Sequence, residues 1–285
     1  MSNRVPLVAV VTGASRGAGR GIAVALGEAG ATVYVTGRTT KPGVAPLPGT
    51  IFETIAAVDA AGGQGIAVEC DHADDEQTKA LFERVEAEQG RLDILVNNVA
   101  YIDDGLTSRL PFWERSLSLT KMLDVGLRSQ YVATFYAAPL LIRRRHGLVV
   151  FTSSFGSVCY MHSPAYGVQK VSADKFAADM AVDFKNTGVA SVSIWMGPLK
   201  TERSDAAATL SDEYATFMAN AETPEFTGRI IAALYHDPDY MTFSGQTLVA
   251  AEAGQHYGIK DRGREPPSYR SSLGEPRQPS GAIIQ

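Results

Sequence analysis

Short apolar runs alternate with amphipathic stretches almost from the first residue. Residues 7–11 form an apolar run of strand length. A glycine-rich turn leads from it into residues 21–29, which read as a helix closed by Gly30. Residues 32–36 read as a second strand, followed by a proline- and glycine-rich loop over 41–49. A helix over 50–61 leads to a third strand at 66–69, and a helix over 76–89 to a fourth at 94–96, which ends in Asn97-Asn98. A long helical region fills 117–145, and 148–151 is the fifth strand. A helix over 166–186 precedes a strand at 190–195. A polar, alanine-rich segment covers 202–222, before a helix at 225–234 and a last strand near 246–250. Strands separated by helices imply right-handed crossovers and one parallel sheet covered on both faces.

Composition narrows the class without changing this picture. The chain has 285 residues, 45% of them apolar and 20% charged, as expected of a folded globular protein. The net charge is -5, and no basic run exceeds Arg143-Arg144-Arg145 near a helix end, so a nucleic-acid partner is not expected. No stretch approaches the ~20 apolar residues of a membrane span. The first seven residues lack a secretory pattern. Cys70 and Cys159 are the only cysteines, without metal-like spacing, and the five histidines include no His-x-x-x-His pair. The expectation is a cytoplasmic protein without a metal site or a membrane partner.

The turn after the first strand carries the first chemistry. Thr12-Gly13-Ala14-Ser15-Arg16-Gly17-Ala18-Gly19 joins that strand to the first helix. Glycines there let the backbone turn tightly and approach a pyrophosphate, and a helix N-terminus offers it free N–H groups. The fold expected is a Rossmann-type doubly wound parallel α/β sheet of about seven strands flanked by helices. Residues 1–257 read as one dinucleotide-binding catalytic domain. Residues 258–285, rich in proline, serine, glycine and arginine, read as an extension that wraps the surface or is flexible. An NAD site would place an acid after the second strand, where this chain has Val35-Thr36-Gly37-Arg38. Arg38, with Arg16 in the glycine turn, could grip a 2′-phosphate, which favours NADP(H) as cofactor.

Tyr166 and Lys170 carry the second chemistry. Four residues apart on a helix, they share one face. A cation beside a phenol lowers its pKa from about 10, so the pair could exchange a proton near neutral pH. Apolar residues after the strand ends (Tyr101, Phe155, Cys159, Tyr160, Met161, Trp195 and Met196) suggest a pocket for a hydrophobic carbonyl.

From residue 5 to residue 257 the chain resembles the short-chain dehydrogenase/reductase family. The matching elements are Thr12-Gly13 to Gly19, Asp71, Asn97-Asn98-Val99-Ala100, Ser153-Ser154, Tyr166 to Lys170, and Gly197 with Thr201. The resemblance implies that Tyr166 is the acid–base residue, that Lys170 lowers its pKa and holds the nicotinamide ribose, and that Ser154 binds the substrate oxygen. Ser153 remains the alternative serine. By the same resemblance Asp71 bonds the adenine, Asn98 lies beside the adenosine ribose, and Thr201 meets the nicotinamide amide. Residues 202–222 take the position of a mobile flap.

Three departures from the family pattern stand out: Val99-Ala100 after the asparagines, Met196-Gly197-Pro198 after the sixth strand, and Gly126 where the family carries an asparagine that holds a relay water. A water could fill the space left at Gly126. The reading is an NADP(H)-dependent reductase of ketones or aldehydes, reversible toward alcohol oxidation, acting on a hydrophobic small molecule as a homodimer or homotetramer. The alternatives are an epimerase or dehydratase on the same scaffold, and a cofactor-binding regulatory protein with little turnover.

Overall fold

All strand pairings in the sheet are parallel, in the order β3-β2-β1-β4-β5-β6-β7. The computed structural model describes residues 6–284. The strands are β1 (Val8–Val11), β2 (Thr32–Gly37), β3 (Gln64–Glu69), β4 (Ile94–Asn97), β5 (Gly147–Ser153), β6 (Val189–Trp195) and β7 (Thr247–Val249). Strand order reverses between β1 and β4, which both pair with neighbours on opposite sides. The chain leaves β1 and β4 toward opposite faces of the sheet, so the loops beyond their carboxyl ends diverge around a crevice where ligands bind in such sheets.

The period of two along each strand decides the layers. Ala9 and Val11 of β1 face a cluster built with α1 (Gly17–Glu28), α2 (Ile51–Ala60) and α9 (Pro224–His236), through Ile22, Leu26, Val58, Phe226 and Ile230. Val8 and Val10 face the other side, packing with α3 (Asp75–Gln89), α5 (Ser129–Ile142) and α6 (Pro164–Asp183) through Leu81, Val85, Ala133 and Ala177. A continuous apolar strand such as Val8–Val11 is thus buried on both faces, as parallel sheets require.

Two local departures from the expected elements bear on the site. Helix α1 begins at Gly17, not residue 21, because the end of the glycine turn is itself the first helical turn. The region expected as one long helix is broken. A 3₁₀ turn at Leu117–Thr120 leads through α4 (Lys121–Leu123) into a π-helical turn at Asp124–Arg128 before α5. A π turn holds one extra residue, and it carries the buried Gly126 at its centre.

The segment 202–222 contains two short helices, α7 (Glu202–Ala208) and α8 (Asp212–Met218), capped by Thr201 and Ser211. After β7 come α10 (Ala250–His256) and α11 (Arg270–Leu273). No helix among the described residues is long and apolar enough to cross a membrane.

Candidate active site

The glycine turn is shaped by two left-handed residues, Gly13 at φ 63° and Gly17 at φ 57°. A Cβ on Gly13 would lie 2.8 Å from the Cα of Val99, so no larger residue fits between β1 and the end of β4. Arg16, at the N-cap of α1, is extended and gives no side-chain cap. The Gly17 N–H donates instead to Oε2 of Glu202 at 2.9 Å. A carboxylate oxygen thus sits at the N-terminus of this 12-residue helix, where the helix dipole and free N–H groups favour negative charge.

Neighbouring residues brace this turn. Asn98 donates its side-chain amide to the carbonyls of Thr12 and Gly13 at 2.9 and 3.1 Å, so the structure holds it against the turn. Thr12 Oγ1 accepts the backbone N–H groups of Asn98 and Val99. Ser15 is buried, and a Cβ on Gly19 would meet the Asn98 amide. Arg16 donates to Pro48 O, Gly49 O and Thr39 Oγ1, so much of its guanidinium clamps the loop after β2. Arg38 is left the more exposed cation, 3.7 Å from Asp71 Oδ2 at the end of β3. Thr201 caps α7 and lies beside Gly17, across the turn from Asn98.

At the carboxyl end of β5 the second cluster assembles. Ser163 caps α6 by accepting the N–H of Tyr166 at 3.2 Å, and Pro164 starts the helix. That cap places Tyr166 in the first turn, and its hydroxyl is 3.0 Å from Ser154 Oγ. Ser153 points the other way and donates to Lys170 O at 2.9 Å in the core. The alternation along β5 therefore separates the two serines: Ser154, not Ser153, faces Tyr166. Lys170 Nζ lies over the Tyr166 ring, 5.5 Å from its centroid, and donates to Thr152 O at 3.5 Å.

The electrostatics differ from the expectation of a lowered tyrosine pKa. Burial pushes the Tyr166 phenol up, and the Ser154 hydroxyl opposes that shift. Burial also lowers Lys170 to about 8, with Asp174 pulling it back up. The ammonium lies over the ring face, and desolvation is the largest influence on both groups.

Several contributors were not singled out from the sequence. Asp174, one helical turn past Lys170, accepts from Ser157 Oγ, Ser193 Oγ and Trp195 Nε1 at 2.5, 2.6 and 2.9 Å. It ties α6 to β6 and to the loop carrying Ser154, and its i,i+4 spacing from Lys170 was a readable signal. Trp195 is therefore a core residue held by Asp174, fully buried, and does not line the pocket expected of it. Arg115 donates to His162 O at 2.6 Å and so braces that residue in its left-handed conformation, with the imidazole edge-on to Tyr166. Glu222 accepts the N–H of Gly197 at 3.2 Å and closes the loop after β6. Only the fold brings Arg115 and Glu222 near the site.

Strand order, glycine turn and the crevice between them define a dinucleotide-binding α/β protein. The chain belongs to the short chain dehydrogenase family, whose sequence model matches residues 7–210. Its members are oxidoreductases that use a nicotinamide dinucleotide. The chain is 39% identical over 266 residues to human Dehydrogenase/reductase SDR family member 1, covering 89% of this chain and 82% of that protein. The mouse protein of that name is also 39% identical, over 94% of this chain and 87% of the mouse protein. Among solved structures, a protein from Xanthomonas campestris superposes with a TM-score of 0.76 at 26% identity, covering 89% of this chain and 90% of that one.

Proposed function

We propose that this protein is an NADP(H)-dependent reductase of ketones or aldehydes, reversible toward alcohol oxidation, for a hydrophobic small molecule. The observation that carries the reading is the 3.0 Å contact between Ser154 Oγ and the Tyr166 hydroxyl, with Lys170 beneath the ring. A carbonyl oxygen seated between those two hydroxyls receives a hydrogen bond from Ser154 and a proton from Tyr166. The buried Lys170, lowered to about 8, is poised to exchange protons near neutral pH and to restore that of Tyr166. The bound cofactor supplies or accepts the hydride.

The residues that would hold it follow the crevice. Gly13, Ser15, Gly17 and Gly19 shape the pyrophosphate turn, with Asn98 behind it. Arg38, supported by Arg16 and next to Asp71, faces the adenosine end; an arginine there, without an acid, favours a 2′-phosphate. Thr201, Tyr166 and Lys170 meet the nicotinamide end. The exposed aromatic side chains Tyr131 and Phe135 on α5 are surface that a homodimer or homotetramer would cover, and a cytoplasmic location belongs to the same proposal.

The test is NADPH consumption by purified protein over a chemically diverse carbonyl panel. Hydrophobic carbonyls should be reduced, and Tyr166→Phe should abolish reduction while NADPH still binds. Tight NADPH binding with no turnover across the panel would overturn the reading.

A further inference from the structure

Part of the C-terminal segment folds back onto the loop that follows Ser154. Asp261, itself buried, accepts the backbone N–H and the hydroxyl of Thr223 at 2.8 and 2.6 Å, which fixes the path of the chain beyond α10. Further on, Glu252 of α10 takes a bidentate pair from Arg270 at 2.8 and 2.6 Å and a third hydrogen bond from Ser268. These contacts bracket Tyr269 and fix the start of α11.

Tyr269 and Leu273 then pack on the loop that follows Ser154. The Tyr269 ring meets Phe155 edge-on, with centroids 6.2 Å apart. Val158, Cys159 and Met161, which lie between Ser154 and Tyr166 in the chain, join the same apolar cluster. Burial pushes the Tyr269 phenol up, and the Glu222 carboxylate adds to that, so the ring also lies near the loop after β6. Both loops leave the carboxyl ends of strands, the side of the sheet where the Ser154–Tyr166 contact lies.

We infer that Tyr269 and Leu273 form a wall of the substrate pocket and set the size of the apolar substituent that a carbonyl may carry. The inference rests on the proposed carbonyl chemistry and adds a selective element to it. Tyr269 contributes an aromatic face toward the loop that bears the substrate-binding hydroxyl, and Leu273 closes the same side beside Val158 and Cys159. The Arg270–Glu252 pair keeps this wall in register with the strand ends. Without that anchor, the ordering of a proline- and glycine-rich segment would cost more than two apolar contacts return. The site would then be shared between the dinucleotide-binding core and a segment outside the family's matched residues 7–210.

Full-length Tyr269→Ala and Leu273→Ala are compared with wild type for kcat/KM over a homologous series of aryl and alkyl ketones of increasing bulk. The ratio of bulky to small substrate should rise about tenfold or more, the scale on which a pocket responds to a few methylenes. A ratio unchanged in both variants would overturn the proposal while leaving carbonyl reduction intact. A second readout needs no turnover. Cys159 lies under this wall whereas Cys70 is buried, so its alkylation by iodoacetamide is compared with that by N-phenylmaleimide. The variants should admit the bulky maleimide much faster and the small reagent only slightly faster. Equal size discrimination in wild type and variants would refute the wall, even if no carbonyl of the series were reduced. Glu252→Gln, which weakens the anchor without touching the wall, should shift both readouts in the same direction.

Discussion

The carboxamide of Gln169 fills the space that a Cβ on Gly126 would occupy. The sequence suggested a gap at Gly126 that a water would take. The structure puts there a buried amide, one residue from Lys170, brought close by the π turn of Asp124–Arg128. The Oε1 of Gln169 has no hydrogen-bond partner among the described residues. A buried acceptor of this type calls for a donor, and the neighbourhood of Lys170 is where it would matter.

The two residues should behave as one unit. Gly126→Asn alone should cost about 1–3 kcal/mol of stability, because its side chain overlaps Gln169. Gly126→Asn with Gln169→Gly should recover most of that loss. Thermal melts of the single and double variants measure the coupling, and simple additivity of the two substitutions would show that they do not compete for the space.

Arg38 makes the cofactor preference testable. Its guanidinium is largely exposed, with Asp71 as its only ion pair among the described residues. Arg38→Asp should raise the NADPH Kd about tenfold or more and change the NADH Kd little, since a charge-assisted bond to phosphate is worth about 1.5–3 kcal/mol. Isothermal titration with both cofactors decides it; equal effects would refute the 2′-phosphate assignment.

On the proposed reading of the glycine turn, Glu202 would compete for the pyrophosphate seat. Its carboxylate accepts the Gly17 N–H that a phosphate oxygen would use. Glu202→Ala should therefore tighten NADPH binding by about fivefold at low salt, with a smaller gain at high salt. A weaker Kd would mean that Glu202 supports the turn instead of contesting it.

Glu222 predicts a pH dependence of stability. Burial pushes it up to about 8 against the Gly197 N–H, and Asp261 adds to the rise. The native state then keeps a proton that the unfolded chain releases near 4.5, so stability falls as pH climbs from that value to about 8. Glu222→Gln should flatten this part of the profile and raise the melting temperature at pH 8 by roughly 4 °C. Melting curves between pH 5 and 8 check it; parallel profiles for the two proteins would show that Glu222 does not titrate there.

The local pattern of the chain determined the strand–helix alternation, the glycine turn after β1 and the pairing of Tyr166 with Lys170. Each rests on short-range periodicity or on a backbone conformation that few residues adopt. Ser163 and Pro164 likewise announce the start of α6, and so where Tyr166 sits on it. Tertiary structure separated the two adjacent serines, turning Ser154 toward that tyrosine as the resemblance implied and Ser153 into the core, because their directions depend on how β5 lies relative to α6. It alone turned Arg16 into the loop after β2, set Glu202 on Gly17 and folded Tyr269 back over Phe155, contacts made across long stretches of chain. The direction of the Tyr166 shift was also beyond the sequence. Spacing says that a cation is near, whereas burial decides whether that cation or the loss of water has the larger effect.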